Sequence, residues 1–219
     1  MPSYVLMRIL ESSPDRYDRG IGILTLGRLE GVYERLTSRI KPGQRVLDIG
    51  CGTGALTIRA TMRGARVKAI DINPWMLEIA GKKVEEVALT HRVELCEMGV
   101  AELDTEAAES YDAVMAGLCF SELSEDELRY ALREIMRILK PGGLLLIADE
   151  VVPRSPLKRV ITLLIRLPLL LIAYLLTQIT TGAIKNLPEK VEGAGFIMES
   201  MRLSRMEDFV EIVARKPGG

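Results

Sequence analysis

The sequence predicts an α/β chain, a doubly wound and mostly parallel sheet with an antiparallel hairpin at one edge. Three observations carry this expectation. Strand-like and helix-like stretches alternate from residue 44 to residue 216, as βαβ units do. Leu144–Ala148 is continuously apolar, as befits a central parallel strand covered on both faces. A glycine-rich turn, "VLDIGCGTG" at Val46–Gly54, follows the first strand, at the end where such sheets bind ligands.

The bulk numbers bound the rest. A chain of 219 residues suffices for one such domain with a small appendage. With 48% hydrophobic and 27% charged residues and a formal net charge of −1, it lacks the basic excess of a nucleic-acid binder. Cys51, Cys96 and Cys119 are widely spaced and form no CxxC pair, which argues against a disulfide framework or a zinc site. No metal is expected, and a reducing cytoplasm fits best. The opening "MPSYVLMRILESSPDR" has too short an apolar run for a secretory signal.

The elements follow in order. Arg45–Ile49 reads as the first strand and Thr53–Met62 as the helix after it. Val67–Ile70 is the second strand, ending at Asp71. Asn73 then caps a helix with Pro74 in its first position, where a missing N–H is harmless, and that helix runs to about Ala88. Arg92–Glu97 and Tyr111–Ala116 give the third and fourth strands. Ser124 and Glu127 form a capping box for a helix whose apolar positions are Leu128, Leu132, Ile135 and Leu139, stopped by Lys140-Pro141-Gly142-Gly143. After Leu144–Ala148, Phe196–Leu203 and Asp208–Ala214 read as the closing hairpin.

The glycine turn carries the chemistry. Gly50 and Gly52 let backbone approach a ligand, and the helix after them points free N–H groups at the same place. Asp71, 17 residues beyond Gly54, sits where a carboxylate can accept bonds from two ribose hydroxyls. This suits NAD as well as S-adenosylmethionine. Two features separate them, the GxGxG spacing in place of GxGxxG, and Asp48. A carboxylate at that turn repels a pyrophosphate and attracts an ammonium group.

"VLDIGCGTG", then "VKAIDINPWML", "YDAVMAGL" and "LKPGGLLLI", resembles class I S-adenosylmethionine-dependent methyltransferases over roughly residues 15–216. The resemblance implies a Rossmann-like sheet of seven strands in the order 3-2-1-4-5-7-6, with S-adenosyl-L-methionine as cofactor. It implies that Asp48, Gly50, Cys51, Gly52 and Gly54 surround the methionine part, that Asp71 holds the ribose, and that Ile72 and Met76 pack on the adenine. There is one departure. Where the family usually carries Asp or Asn followed by Ala, this chain has Val100-Ala101. The Ala101 N–H can still serve an adenine nitrogen, and a register slip of two would bring up Glu102. "RYDRGIGILTLGRLEGVYERL" resembles the quinone-type C-methyltransferase branch through Tyr17-Asp18 and Gly27, which implies that Tyr17 closes over the methionine part or else packs the N-terminal helix. The overlapping "SYVLMRILESSPDRYDRGIGILTLGRL" is similar to methyltransferases associated with corrinoid proteins.

The organisation expected is therefore an N-terminal helical cap over 1–43 and a cofactor-binding core over 44–219, with 151–188 an apolar, basic lid insertion. Of the 17 residues Val160–Leu176, 14 are apolar, yet Arg166 and Pro168 interrupt them, which disfavours a membrane span. Three roles compete for this segment. They are core and lid helices with a homodimer interface, a pocket for a lipophilic small molecule, and peripheral membrane contact. "LPEKVEGAGF" at 187–196 matches the family's short helix and turn before the hairpin.

For catalysis, Glu122 after the fourth strand and Asp149 and Glu150 after the fifth are placed to act as base or acceptor-binding groups, or as caps and loop charges. His91 falls at the opposite end of the sheet. The principal reading is methyl transfer to a small, apolar acceptor. The alternatives are a cofactor-binding partner module of a corrinoid or redox protein, and a nicotinamide-dependent enzyme.

Overall fold

The computed structural model describes residues 28–160 and 183–218. Seven strands form one sheet: β1 (Arg45–Ile49), β2 (Arg66–Asp71), β3 (Val93–Glu97), β4 (Tyr111–Gly117), β5 (Leu139–Glu150), β6 (Ile197–Leu203) and β7 (Phe209–Arg215). Their order is β3-β2-β1-β4-β5-β7-β6, parallel except where β7 pairs antiparallel with β5 and β6. The strand order reverses between β1 and β4, so the crevice of the sheet opens there.

The helices that build the layers are α1 (Arg28–Thr37), α2 (Ala55–Met62), α3 (Pro74–Glu86), α4 (Glu125–Ile138) and α5 (Leu187–Gly193), and residues 156–160 are helical as well. The period-two alternation of each strand divides the core into two. Leu47, Ile49, Val114, Leu145 and Ile147 pack with α4 and α5 on one face, through Leu132, Ile135 and Val191. Val46, Val67, Met115 and Leu146 pack with α1 and α2 on the other, through Leu36 and Leu56. The described part of the N-terminal segment, α1, is thus a layer of the core. Arg35 ties it to β7 through Glu211, whose Oε2 accepts from Nη2 at 2.7 Å.

Several boundaries differ from the sequence expectation, most by one or two residues. Helix α2 starts at Ala55, because Gly54 is its N-cap in a left-handed conformation and Thr53 belongs to the turn. Leu139 is the first residue of β5 and pairs with Tyr111, so α4 ends at Ile138. Pro141 disfavours helical torsions at Lys140, and the chain leaves the helix early as a strand with a shifted register. The hairpin strands begin one residue later than read, at Ile197 and Phe209. The capping box of α4 is formed as expected: Ser124 Oγ accepts from the Glu127 N–H, and Glu127 Oε2 accepts from the Ser124 N–H.

The lid insertion is described at its two ends. Val151 bridges Ile184 in parallel, the Val152 N–H donates to Ile184 O, and the Ile184 N–H donates to Glu150 O. Both ends are therefore stitched to the carboxyl end of β5. Lys158 pairs with Glu207, and Arg154 with Glu189. Tyr17, Asp18, Gly27 and the stretch 161–182 lie outside the described residues, and so do the roles expected of them.

Candidate active site

The glycine turn closes at the carboxyl end of β1, and each glycine answers a different constraint. Gly50 has φ +63°, and a Cβ on it would stand 2.4 Å from the Cys119 Cβ, so it is excluded by packing. Gly52 has φ +53° with nothing within 4 Å of an added Cβ, so its open side faces free space. Two outcomes follow. Gly50→Ala is expected to lower stability by about 3 kcal/mol or more, read by urea denaturation, because overpacking adds to a strained backbone. Gly52→Ala is expected to cost about 1 kcal/mol in stability and to weaken cofactor binding by a larger factor, since the added methyl enters the crevice.

Asp71, at the tip of β2, holds this turn in place. Its Oδ2 accepts from the Gly52 N–H at 2.8 Å and its Oδ1 from the Asn73 N–H at 2.9 Å. Burial pushes its carboxyl above the usual range, and those N–H groups oppose the rise. One carboxylate therefore joins the glycine turn to the start of α3, where Asn73 accepts from the Trp75 N–H.

Asp48 lies on the face of β1 that meets α2. It is 1% exposed, and its Oδ2 accepts from the Thr57 hydroxyl at 2.5 Å. Its Oδ1 is buried with no hydrogen-bond partner among the described residues. Burial raises its carboxyl to about 7, the Thr57 bonds opposing the rise. A half-satisfied buried carboxylate is costly, and a cationic donor relieves it. Thr57 escaped the sequence reading, although a hydroxyl one turn into the helix after a glycine turn is well placed to meet the preceding strand.

Around the second strand the residues divide. Ile72 is 75% exposed and Trp75 65% exposed, an apolar shelf beside Asp71. Met76, expected against the adenine, is 2% exposed and belongs to the core beneath. The helical position that points it inward under α3 is the reason. Val100 is half-buried and Ala101 exposed in a short 3-10 turn, Val100–Thr105. Glu102, the residue a register slip would have supplied, instead caps that turn, its Oε2 accepting from the Gly99 N–H at 2.8 Å. Cys51 is buried, and burial pushes its thiol far up.

On the opposite wall, Asp149 is fully buried and organises the turn Phe120–Glu122. Its Oδ2 accepts from the Phe120 N–H at 2.8 Å and the Ser121 N–H at 3.3 Å, its Oδ1 from the Glu150 N–H at 2.7 Å. Desolvation raises it to about 6 despite those donors. Glu122 is an exposed residue whose carboxyl rises to about 7, through desolvation first, then Asp149 and Asp71. Glu150 ends β5, its carbonyl accepting from Ile184. His91 lies at the other end of the sheet, lining a cavity of about 590 Å³ with Pro42, Gly43, Gly64, Arg66 and Arg92. Among the described residues, no group of three or more His, Cys, Asp or Glu is arranged to hold a metal ion.

A seven-stranded sheet in this order, with a glycine turn at the β1/β4 crevice and Asp71 at the tip of β2, is the arrangement that the resemblance to class I S-adenosylmethionine-dependent methyltransferases implies. The family model described as "Methyltransferase domain" matches residues 46–143. The chain is 32% identical over 145 residues to the demethylmenaquinone methyltransferase of Clavibacter sepedonicus, covering 65% of this chain and 57% of that protein. It is 32% identical over 141 residues to the ubiquinone/menaquinone biosynthesis C-methyltransferase UbiE of Rhizobium etli, covering 61% and 54%. The chain thus spans about half the length of these curated relatives. Among solved structures it resembles the [4+2]-cyclase SpnF, with a TM-score of 0.69 at 20% identity over 87% of this chain and 81% of that one. That likeness concerns the fold, which hosts more than one chemistry.

Proposed function

We propose that this chain transfers a methyl group from S-adenosyl-L-methionine to a small, apolar acceptor of the isoprenoid quinol kind. The observation that carries the cofactor half is the buried Oδ1 of Asp48, which has no hydrogen-bond partner among the described residues, in a strand that leads into the turn where Gly52 is open. An ammonium group satisfies that oxygen, whereas a pyrophosphate would be repelled by it, which also speaks against a nicotinamide dinucleotide. Asp71 receives the ribose hydroxyls, Ile72 floors the adenine, and the Val100-Ala101 turn borders it. When bound, the cofactor supplies an electrophilic methyl. The protein's part is then to hold the acceptor in line and exclude water.

The acceptor half rests on the quinone methyltransferase relatives and on the apolar 160–176 run, which belongs to the insertion whose described ends, Val151 and Ile184, bridge each other at the carboxyl end of β5. Of the described cations of the 151–188 segment, Arg154 and Lys158 pair with glutamates and Arg159 donates to Pro153 O, which favours a lid over an anionic-membrane anchor. Among the described residues no helix is long and apolar enough to cross a membrane. Three free cysteines support a cytoplasmic setting.

The test is transfer of labelled methyl from S-adenosylmethionine to a reduced demethylnaphthoquinol carrying a short prenyl chain, followed by mass spectrometry. One mass-shifted product per turnover is the expected result. Cofactor binding without any product, together with a stoichiometric corrinoid or other redox protein retained from native extract, would replace this reading with that of a partner module.

A further inference from the structure

The cavity of about 590 Å³ lies at the amino ends of the first strands, at the opposite end of the sheet from the glycine turn, and its lining is cationic. Arg66, His91 and Arg92 line it with Pro42, Gly43 and Gly64, and no carboxylate is among them. The chain as a whole has a formal net charge of −1, so this excess is local and does not follow from the composition. The volume falls within the range of small-molecule sites, about 300–1,000 Å³.

Three loops are fastened together to form it. The Gly43 N–H donates to Gly64 O at 2.9 Å and the Arg66 N–H to Gln44 O at 2.8 Å, which joins the turn before β1 to the turn before β2. Gly64, at φ +91°, allows the close approach, since a Cβ on it would stand 3.1 Å from the Pro42 Cβ. Arg92, just before β3, fastens the third loop through Nη1, which donates to the same Gly64 O at 2.8 Å. That carbonyl thus accepts two bonds, which weakens the repulsion it would offer an anion. Arg92 Nε donates to His91 Nε2 at 3.3 Å, which leaves Nδ1 to carry the ring proton as a further donor. Two contacts therefore orient the Arg92 guanidinium, and its Nη2 has no partner among the described residues. The Arg66 side chain makes no hydrogen bond or ion pair among the described residues. Arg66, His91 and Arg92 are all exposed, so a soluble ligand can reach them. Two guanidiniums on one cavity repel each other, and no carboxylate of the lining offsets that.

We propose that this cavity binds a soluble, phosphate-bearing small molecule, gripped by Arg66 and Arg92 with the His91 ring beside them. Guanidinium forks match phosphate oxygens in bidentate geometry, and a dianion relieves the repulsion between the two arginines. A lipid headgroup offers the same chemistry. Docking this end of the sheet on a membrane would, however, turn the carboxyl end of β5 away from the bilayer, and a lipophilic acceptor enters at that end under the reading above. The soluble source is therefore the one inferred.

The experiment is titration calorimetry of the full chain with pyrophosphate at low ionic strength, where charge–charge attraction is least screened. One site with a dissociation constant of about 1 mM or below is expected. Arg66→Gln and Arg92→Gln should each weaken it about tenfold, since hydrogen bonds to charged groups are at stake. Arg92→Lys, which keeps the charge and loses the fork, should fall between wild type and Arg92→Gln. Lys41→Gln, a neighbouring cation outside the lining, should leave the affinity within twofold. Arg66→Gln removes no contact among the described residues, so its urea midpoint should match the wild type and its loss of binding reports on the site. Absence of pyrophosphate binding, or equal losses in Lys41→Gln and the two lining variants, would overturn the proposal. So would sedimentation with vesicles of phosphatidylcholine and phosphatidic acid by a chain that does not bind pyrophosphate. None of these outcomes touches the cofactor reading, which rests on the other end of the sheet.

Discussion

Replacing Asp71 by Ala is expected to weaken S-adenosylhomocysteine binding by roughly 2–4 kcal/mol in calorimetry, a loss of about thirtyfold to a thousandfold. Two contributions add. In the proposed cofactor site the side chain would offer two charge-assisted hydrogen bonds to ribose hydroxyls, and hydrogen bonds to charged groups carry more free energy than neutral ones. The same carboxylate pins the Gly52 and Asn73 N–H groups at 2.8 and 2.9 Å. Its removal frees the glycine turn, so the ordering of that turn is charged to the binding step. Asp71→Asn keeps the shape and one good acceptor, and its loss should fall between Ala and wild type. An affinity for Asp71→Ala within threefold of wild type would rule out the ribose role.

The second large effect is a dependence of stability on pH that runs opposite to ordinary acid denaturation. Asp48 ionises at 3.8 when solvated and at about 7 in the folded chain. A raised value means that the folded state holds a proton the unfolded state has lost. The corresponding stability is fully present below pH 3.8 and disappears as pH rises through 7. The whole difference corresponds to roughly 4 kcal/mol, of which about 3 kcal/mol falls between pH 5 and pH 8. Asp149, raised to about 6, adds in the same direction. Urea midpoints of the ligand-free protein should therefore fall between pH 5 and pH 8. Asp48→Asn should flatten that fall, matching the wild type at pH 5 and exceeding it at pH 8. The same variant should bind cofactor more weakly, because a neutral amide no longer attracts the ammonium. A ligand-free stability that rises over this interval would show that Asp48 is ionised without cost, and the proposed receptor role would lose its physical basis.

Much of the fold was legible in the residues. The seven strands lie where continuous apolar runs and turn residues placed them. The capping box at Ser124 and Glu127 and the proline start of α3 are local devices, readable within a few residues. The errors fell at boundaries decided by neighbours. Leu139 has helical spacing but joins β5, because Pro141 ends the helix and Tyr111 offers a strand partner. Met76, which the family resemblance placed against the adenine, is buried, since the roll of α3 against the sheet sets which of its faces is covered.

The site divides in the same way. The sequence by itself determined the strands, the glycine turn and the carboxylates near the strand ends, because each depends on torsions and periodicities local to the chain, while the strand order came with the resemblance to the methyltransferase family. Tertiary structure alone decided what those carboxylates do. Among the described residues, Thr57 satisfies only half of Asp48, and backbone N–H groups occupy Asp71 and Asp149. These outcomes depend on burial and on distances between elements far apart in the chain. The free energy of a buried charge is set by what surrounds it in space, and spacing along the sequence carries no measure of that.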